Sequence, residues 1–426
     1  DSAFLKKRPK SPSSKGSYSG CTPFGFCFMG VVAFFSMGIG AWGAWFALSL
    51  GSGREVMWNT FGVEIHNRPN GLYGVVGRGE MAPLEKDSAR VLVTGAAGFI
   101  GMHLSSRLAR EGIEVAGLDN FNEYYSPAYK RARASHLESE HGLRVVDGDV
   151  CDRKLVKDIL DKHRITHIVH LAAQPGVRYS VKHPLAYVNR NVECFVELLE
   201  AIVATPKADR PYLVYASSSS VYGLNEKIPF AEADRVDRPA NLYGATKRGN
   251  EEIALAYWRL HGLRSVGCRF FTVYGPWGRP DMAMYDFTEK ISKGKPLTIY
   301  NGGEMKRDFT YVGDIVEGLV KILEWRAPDD HPQVFNLGNK SPVALLDFIK
   351  TIESALGKNA TIVDGGPSPG EVAVTFADIS LAQKVLGFDP KTTLAEGTHK
   401  FVEWYKSSER QPGFEVVAKR RALRSR

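Results

Sequence analysis

The stretch Tyr243-Gly-Ala-Thr-Lys247 sets a phenol and an ammonium four residues apart, which is one face of a helix if the segment is helical. A phenol ionises near pH ~10 and is a weak base at neutral pH, but a nearby cation favours its ionised form. Tyr243 is therefore a candidate general base, with Lys247 as the group that tunes it. Just upstream the chain reads Tyr215-Ala-Ser-Ser-Ser-Ser-Val-Tyr-Gly223. A serine run commonly marks a flexible linker. Here it follows a short apolar run, 211–217, so it also reads as the hydroxyl-bearing end of a strand.

A second set of residues has the spacing of a phosphate cradle. Gly95, Gly98 and Gly101 recur every third position, with Phe99 and Ile100 between the last two. Glycines at that spacing allow a tight turn and let a pyrophosphate approach the start of the following helix. A β-rich run (90–95) precedes the glycines and a helical pattern (99–112) follows them, the context that makes the motif a dinucleotide fingerprint. Asp119 ends the next apolar run and is placed to accept from ribose hydroxyls. Its charge opposes a 2′-phosphate, so the expected cofactor is NAD rather than NADP. Asp149 and Val150 follow a third run and are candidates to hold the adenine, although Asp149 also reads as an ordinary turn residue. Bound nicotinamide would add a second cation favouring ionised Tyr243.

Elements that alternate around these residues must position them. Short strands are expected at 90–95, 114–119, 144–150, 167–173, 211–217 and 264–271, and helices at 99–112, 189–204 and 241–262. That alternation predicts an α/β fold with a doubly wound parallel sheet. The remainder mixes helices (312–325, 343–356) with short strands such as 334–337.

Together the glycines, Ser-Ser-Ser-Ser-Val-Tyr-Gly and Tyr-Gly-Ala-Thr-Lys resemble the extended short-chain dehydrogenase/reductases, the family of nucleotide-sugar epimerases and dehydratases, over about 89–410. The resemblance implies a Rossmann cofactor part (mainly 89–271), a smaller C-terminal substrate-binding lobe (mainly 272–412) and a homodimer. It also implies Tyr243 as base, Lys247 as anchor of the cofactor ribose, and Ser218 against the hydroxyl being oxidised, with Ser219 and Ser220 close by. Family members that eliminate water carry an acidic pair where Ser219 and Ser220 stand, and those that decarboxylate a UDP-uronate carry Glu where Ser220 stands. Hydroxyls alone suit oxidation followed by reduction, with nothing lost from a UDP-sugar.

The segment Arg269–Ala283 resembles the branch of that family that epimerises UDP-linked uronic acids at carbon 4. Galactose-type 4-epimerases carry Asn where Thr272 stands and lack the Arg279-Pro-Asp281 run. The resemblance implies that Thr272 and Arg279 meet the uronate carboxylate, since a planar guanidinium can grip one with two bonds. It also sets Arg307, with Arg178 as a weaker candidate, against the diphosphate. The run 366–372 lacks the arginine that relatives carry there, which leaves one phosphate contact unassigned.

Composition narrows the remaining classes. The 426 residues are 44% hydrophobic and carry a net charge of +8. The excess sits at the ends: 1–20 and 413–426 each hold five basic groups against one acid, so the body between is electroneutral. A neutral body with basic tails does not present a nucleic-acid surface. The five cysteines show neither metal-ligand spacing nor the density of a disulfide scaffold, so neither a disulfide framework nor a metal site is implied, and Cys21 and Cys27 are expected as unmodified thiols. No charged residue occurs from Gly16 through Gly53, and 24–50 is long enough to cross a bilayer. With the basic cluster before it, the expectation is a single transmembrane anchor: a cytosolic tail (1–23), a span (24–50), a stem (51–88), the catalytic body (89–412) and a basic tail (413–426). Family resemblance then implies a type II Golgi membrane protein with a lumenal body.

Overall fold

Val91 and Val93 point to one side of a strand and Leu92 to the other, and all three are buried. Burial on both faces requires cover on both sides, the condition of a parallel sheet wrapped by helices. In the computed structural model this strand, β1 (Arg90–Thr94), lies inside a seven-stranded parallel sheet. The structure describes residues 79–326, 332–366 and 374–408, and the backbone of three short strands between 46 and 66.

The chain alternates as expected. After β1 come α1 (Phe99–Arg110), β2 (Glu114–Asp119), α2 (Pro127–His141), β3 (Val145–Asp147), α3 (Arg153–His163) and β4 (His167–His170). Then follow α4 (Val177–Lys182), α5 (Cys194–Val203), β5 (Tyr212–Ser218), α6 (Leu242–His261) and β6 (Ser265–Phe270). The small lobe begins with β7 (Thr272–Tyr274) and includes α7 (Ala283–Ser292) and β8 (Lys306–Tyr311). The chain returns to the main sheet through α8 (Val312–Glu324) and β9 (Gln333–Leu337), then re-enters the small lobe. The strand order is β9-β6-β5-β4-β1-β2-β3, every pair parallel. The order reverses between β1 and β4, and ligands of such sheets bind in the crevice at that point.

Each face has its own core. Val91, Val93, Val214, Val266 and Cys268 pack with Leu104 and Leu108 of α1 and Ile315 and Leu319 of α8. Leu92, Ile168 and Leu213 pack on the other side with Ile159 and Leu160 of α3 and Leu198 and Ile202 of α5. The small lobe has a separate core around Phe309 and Phe348, whose rings stack 4.0 Å apart.

Three expectations change. The segment 189–204 is not one α-helix: residues Val188–Glu193 form a π-turn before α5. The turn aims Asn191 back at Gln174, exchanging bonds of 2.7 and 3.1 Å with its backbone. Folded structure also starts before residue 89, because Glu80–Met81 pairs with Trp325–Arg326 and the Ala82 N–H donates to Glu324 (2.7 Å). Cys151 and Cys194 form a disulfide, which the sequence did not imply. They are 43 residues apart in sequence and adjacent in space because one follows β3 and the other opens α5.

The expected tails and most of the anchor fall outside the described residues. The end of the expected span, Phe46–Leu50, is a strand paired antiparallel with Arg54–Trp58 inside the expected stem. Among the described residues no helix is long and apolar enough to cross a membrane.

Candidate functional site

A cavity of about 850 Å³ opens at the carboxyl ends of the strands, and every site residue expected from the sequence lines it. It gathers Gly95, Gly98, Phe99, Ile100, Gly101, Asp119, Asp149 and Val150 on one side. Arg178, Ser218, Ser219, Ser220, Tyr243, Lys247, Thr272, Arg279 and Arg307 line the rest.

The glycine turn fits a pyrophosphate by close approach. Gly95 has φ +72°, and a Cβ on Gly101 would lie 2.1 Å from the Gly95 carbonyl oxygen. A Cβ on Gly98 would lie 2.8 Å from the same oxygen. Only glycine at these positions lets the turn close against the start of α1. Asp119 is buried at the end of β2, where its carboxylate accepts from the Ala97 N–H (3.1 Å) and the Phe121 N–H (2.8 Å). Burial pushes its pKa up, opposed by the nearby Lys130 ammonium and those two N–H groups. Asp149 is more than a turn residue. It accepts from the Cys151 N–H and from Asn120 (both 3.0 Å), and it pairs with Arg190. Burial acts against its ionisation, but these donors together hold its carboxyl below the usual range.

The serine run splits into distinct environments. Ser217 ends its path inward, donating to Glu251 of α6 (2.6 Å). Ser218 closes β5, and its hydroxyl accepts from the Ser220 N–H (3.2 Å) as residues 219–222 turn into a short 3₁₀ segment. Helix α6 starts beside it, capped by Asn241, whose side chain accepts from the Gly244 N–H (2.9 Å). Gly244 is needed for that approach, because a Cβ there would meet the Ser220 carbonyl at 2.4 Å. The result brings the Tyr243 phenol beside the Ser218 hydroxyl.

Burial raises the pKa of Tyr243, while the Ser218 hydroxyl and the charge of Arg279 pull it down. The charge of Arg279 is the one that lowers the phenol's pKa in this arrangement. Lys247 donates to the Ala216 carbonyl at 2.7 Å, and burial lowers its pKa to about 8. Arg279 is not an uncommitted cation. Asp281 grips it side-on, with Nε–Oδ1 of 3.0 Å and Nη2–Oδ2 of 2.6 Å. Thr272 stands at the start of β7, Arg307 on β8 and exposed Arg178 on α4.

Two cavity-shaping residues escaped the sequence reading, and both lie on or beside α2. Arg133 is fully buried and donates to the Ala97 carbonyl (3.2 Å) and the Trp277 carbonyl (2.5 Å). It therefore ties the glycine turn to the loop that carries Arg279. Tyr124 lines the cavity and donates to Asp281 (2.9 Å). The signal that would have found them is weak. Helix α2 buries Lys130 and Arg133 beside Tyr129 and Leu137, so its inner face lacks an apolar stripe.

Known proteins resemble this chain in sequence and in structure. Residues 91–338 match the NAD dependent epimerase/dehydratase family. UDP-glucuronate 4-epimerase 4 of Arabidopsis thaliana is 48% identical over 332 residues, covering 74% of this chain and 75% of that one. UDP-glucuronate 4-epimerase 3 of the same plant is 49% identical over 329 residues, covering 74% and 76%. A crystal structure of UDP-glucuronic acid 4-epimerase from Bacillus cereus, with UDP-glucuronic acid and NAD, superposes with a TM-score of 0.69 at 34% identity. That match covers 75% of this chain and 99% of the other. UDP-glucose 4-epimerase of Thermotoga maritima gives a TM-score of 0.67 at 27% identity, with 75% and 99% covered. On sequence and on structure alike, this chain belongs to the NAD dependent epimerase/dehydratase family.

Proposed function

We propose that the chain is a UDP-glucuronate 4-epimerase that interconverts UDP-glucuronate and UDP-galacturonate. The observation that carries the reading is one cavity that joins a dinucleotide cradle, the Ser218–Tyr243 pair and Arg279, with hydroxyls alone on the serine turn. NAD, when bound, accepts and returns a hydride at carbon 4 of the sugar. Asp119 would hold the adenosine ribose and Lys247 the nicotinamide ribose, while Asp149 and Val150 flank the adenine. Tyr243 takes the proton of the 4-hydroxyl, and Ser218 shares that hydroxyl and keeps the phenol aligned. Arg307 and Arg178 offer positive charge to the diphosphate, about which the 4-keto sugar turns to present its other face. Thr272 and Arg279 hold the carboxylate.

Incubating the protein with UDP-glucuronate and identifying the product tests this directly. UDP-galacturonate is expected; release of a UDP-pentose alone would make it a decarboxylase. Arg279→Ala is expected to weaken UDP-glucuronate binding by about tenfold or more, the scale of a lost charge-assisted bond, or to divert product to UDP-pentose. Unchanged kinetics and products would remove Arg279 from the carboxylate site.

We further infer that the protein is a Golgi-membrane, single-pass type II dimer with a lumenal body. The charge-free stretch behind a basic cluster supports the single membrane pass, and the Cys151–Cys194 disulfide supports a lumenal body, since such bonds persist in oxidising compartments. Protease added to intact vesicles is expected to spare the body, and Cys151 and Cys194 are expected to resist alkylation until reduced. Digestion of the body in sealed vesicles would overturn the lumenal orientation.

A further inference from the structure

Oxidising carbon 4 of a uronate creates a β-keto acid. If its C5–C6 bond breaks, the electron pair passes into the C4 carbonyl as an enolate, carbon dioxide leaves, and a proton adds at C5. The break requires the C5–C6 bond to stand upright from the carbonyl plane, because only then does the electron pair overlap the carbonyl. An epimerase must therefore hold the carboxylate in one orientation while the ketone exists. A free arginine fork does this poorly, since its long side chain samples many rotamers.

The structure shows how the fork of Arg279 is fixed. Its loop carries Trp277 at φ +59°, a conformation uncommon for a bulky residue. Three side chains pin that loop. Arg133 donates to the Trp277 carbonyl at 2.5 Å, the Tyr129 hydroxyl donates to the Gly278 carbonyl at 2.9 Å, and His103 Nε2 lies 2.8 Å from the Pro276 oxygen. Asp281 then takes the inner side of the guanidinium through Nε and Nη2. Tyr124 donates to the same Asp281 Oδ2 at 2.9 Å, and its ring lies 5.7 Å from the Arg279 guanidinium. Tyr124 is itself wedged, since a Cβ on Gly176 would sit 2.3 Å from its hydroxyl oxygen. Side-on pairing uses Nε and one Nη2 hydrogen and leaves the outer edge, Nη1 with the second Nη2 hydrogen, for one more carboxylate.

We propose that Asp281 and Tyr124 are positioning residues: they lock Arg279 so that its outer edge sets the uronate carboxylate, and so they fix the ratio of epimerisation to carboxylate loss. The proposal rests on the functional reading above. It extends that reading to two residues that need not touch the reacting carbons.

The test compares the full chain with Asp281→Asn and Tyr124→Phe on UDP-glucuronate, measuring KM, kcat and the split between UDP-galacturonate and decarboxylated UDP-pentose products. Asp281→Asn is expected to raise KM several-fold and the pentose fraction by about tenfold, because misorientation costs on that scale. Tyr124→Phe keeps the ring and loses one bond, so it should shift both in the same direction by less. It also carries the test if Asp281→Asn does not fold. A uniform fall in kcat with the wild-type split and KM would mean a merely structural role and would overturn the proposal. Wild-type protein that makes no UDP-galacturonate would instead overturn the functional reading, and the positioning role with it.

Discussion

Tyr243→Phe is expected to cut turnover by about a thousandfold, within the 10²–10⁴ range of a positioned general base, while cofactor content stays unchanged. The ring fills the same space in either variant, so the glycine cradle, Asp119 and Lys247 keep their places. What disappears is the phenolic hydroxyl that faces Ser218. In the resting protein the phenol is held neutral by burial, only partly offset by Ser218 and Arg279. The ionised fraction therefore grows with pH, and kcat/KM of the native protein should climb through the neutral range. Any residual rate in the variant should lose that rise. Retained activity with the native pH profile would remove Tyr243 as base.

Arg269→Met is expected to lower folding stability by about 3–5 kcal/mol, the cost of stranding one partner of a buried ion pair. Neither side chain of the Arg269–Glu251 pair is exposed, and two bonds of 2.8 Å join them. Glu251 also accepts from Ser217 (2.6 Å) and Arg248 (3.0 Å), and Arg269 donates to the Tyr222 hydroxyl (3.0 Å). Methionine matches the volume of the stem but leaves a buried carboxylate with a rim arginine and a serine. Burial by itself would raise the pKa of Glu251, and Arg269 leads the partners that hold it below the ordinary range. The native protein thus gains stability from Glu251 as pH rises from its depressed folded value to the unfolded carboxylate value, keeps it above that, and loses it as pH falls through the folded value. In the variant burial dominates and the sign reverses, so the deficit should widen as pH rises through the carboxylate range. Denaturant titration at acid and neutral pH checks both magnitude and trend. Equal midpoints for variant and native protein would show that the pair carries no stability.

The same network links stability to the site. Glu251 lies two turns beyond Tyr243 on α6, and Ser217 directly precedes Ser218. One buried carboxylate therefore joins the strand that offers the hydroxyl to the helix that offers the phenol. Ser217, which looked like one of four equivalent serines, is committed to that joint.

Much of the fold follows from local rules. Two-residue alternation in β1 and β5, glycines at a spacing that only a tight turn needs, and Asn241 capping α6 each act within a few residues. The sheet, the cradle and the placing of Tyr243 and Lys247 on one helix face were legible for that reason, whereas Ser218 joined them through the family resemblance. Helix α2 was not legible, because its inner face is built from Lys130 and Arg133, whose burial is rewarded by distant carbonyls and by Asn122 and Tyr125 in the loop before the helix.

The sequence by itself determined which chemical groups this protein brings to the carboxyl edge of its sheet, since strand period, turn glycines and helix caps are local. Tertiary structure alone decided how those groups are charged and aimed. It paired Cys151 with Cys194, bound Asp149 to Arg190, turned Lys247 onto a carbonyl and set Asp281 against Arg279 under Tyr124. Most of those contacts depend on loops tens of residues apart meeting at the mouth of the sheet. Even the short-range Arg279–Asp281 pair owes its direction to Tyr124 and Arg133 from α2 and the loop before it. Pairing at that range is fixed by packing, which no local pattern records.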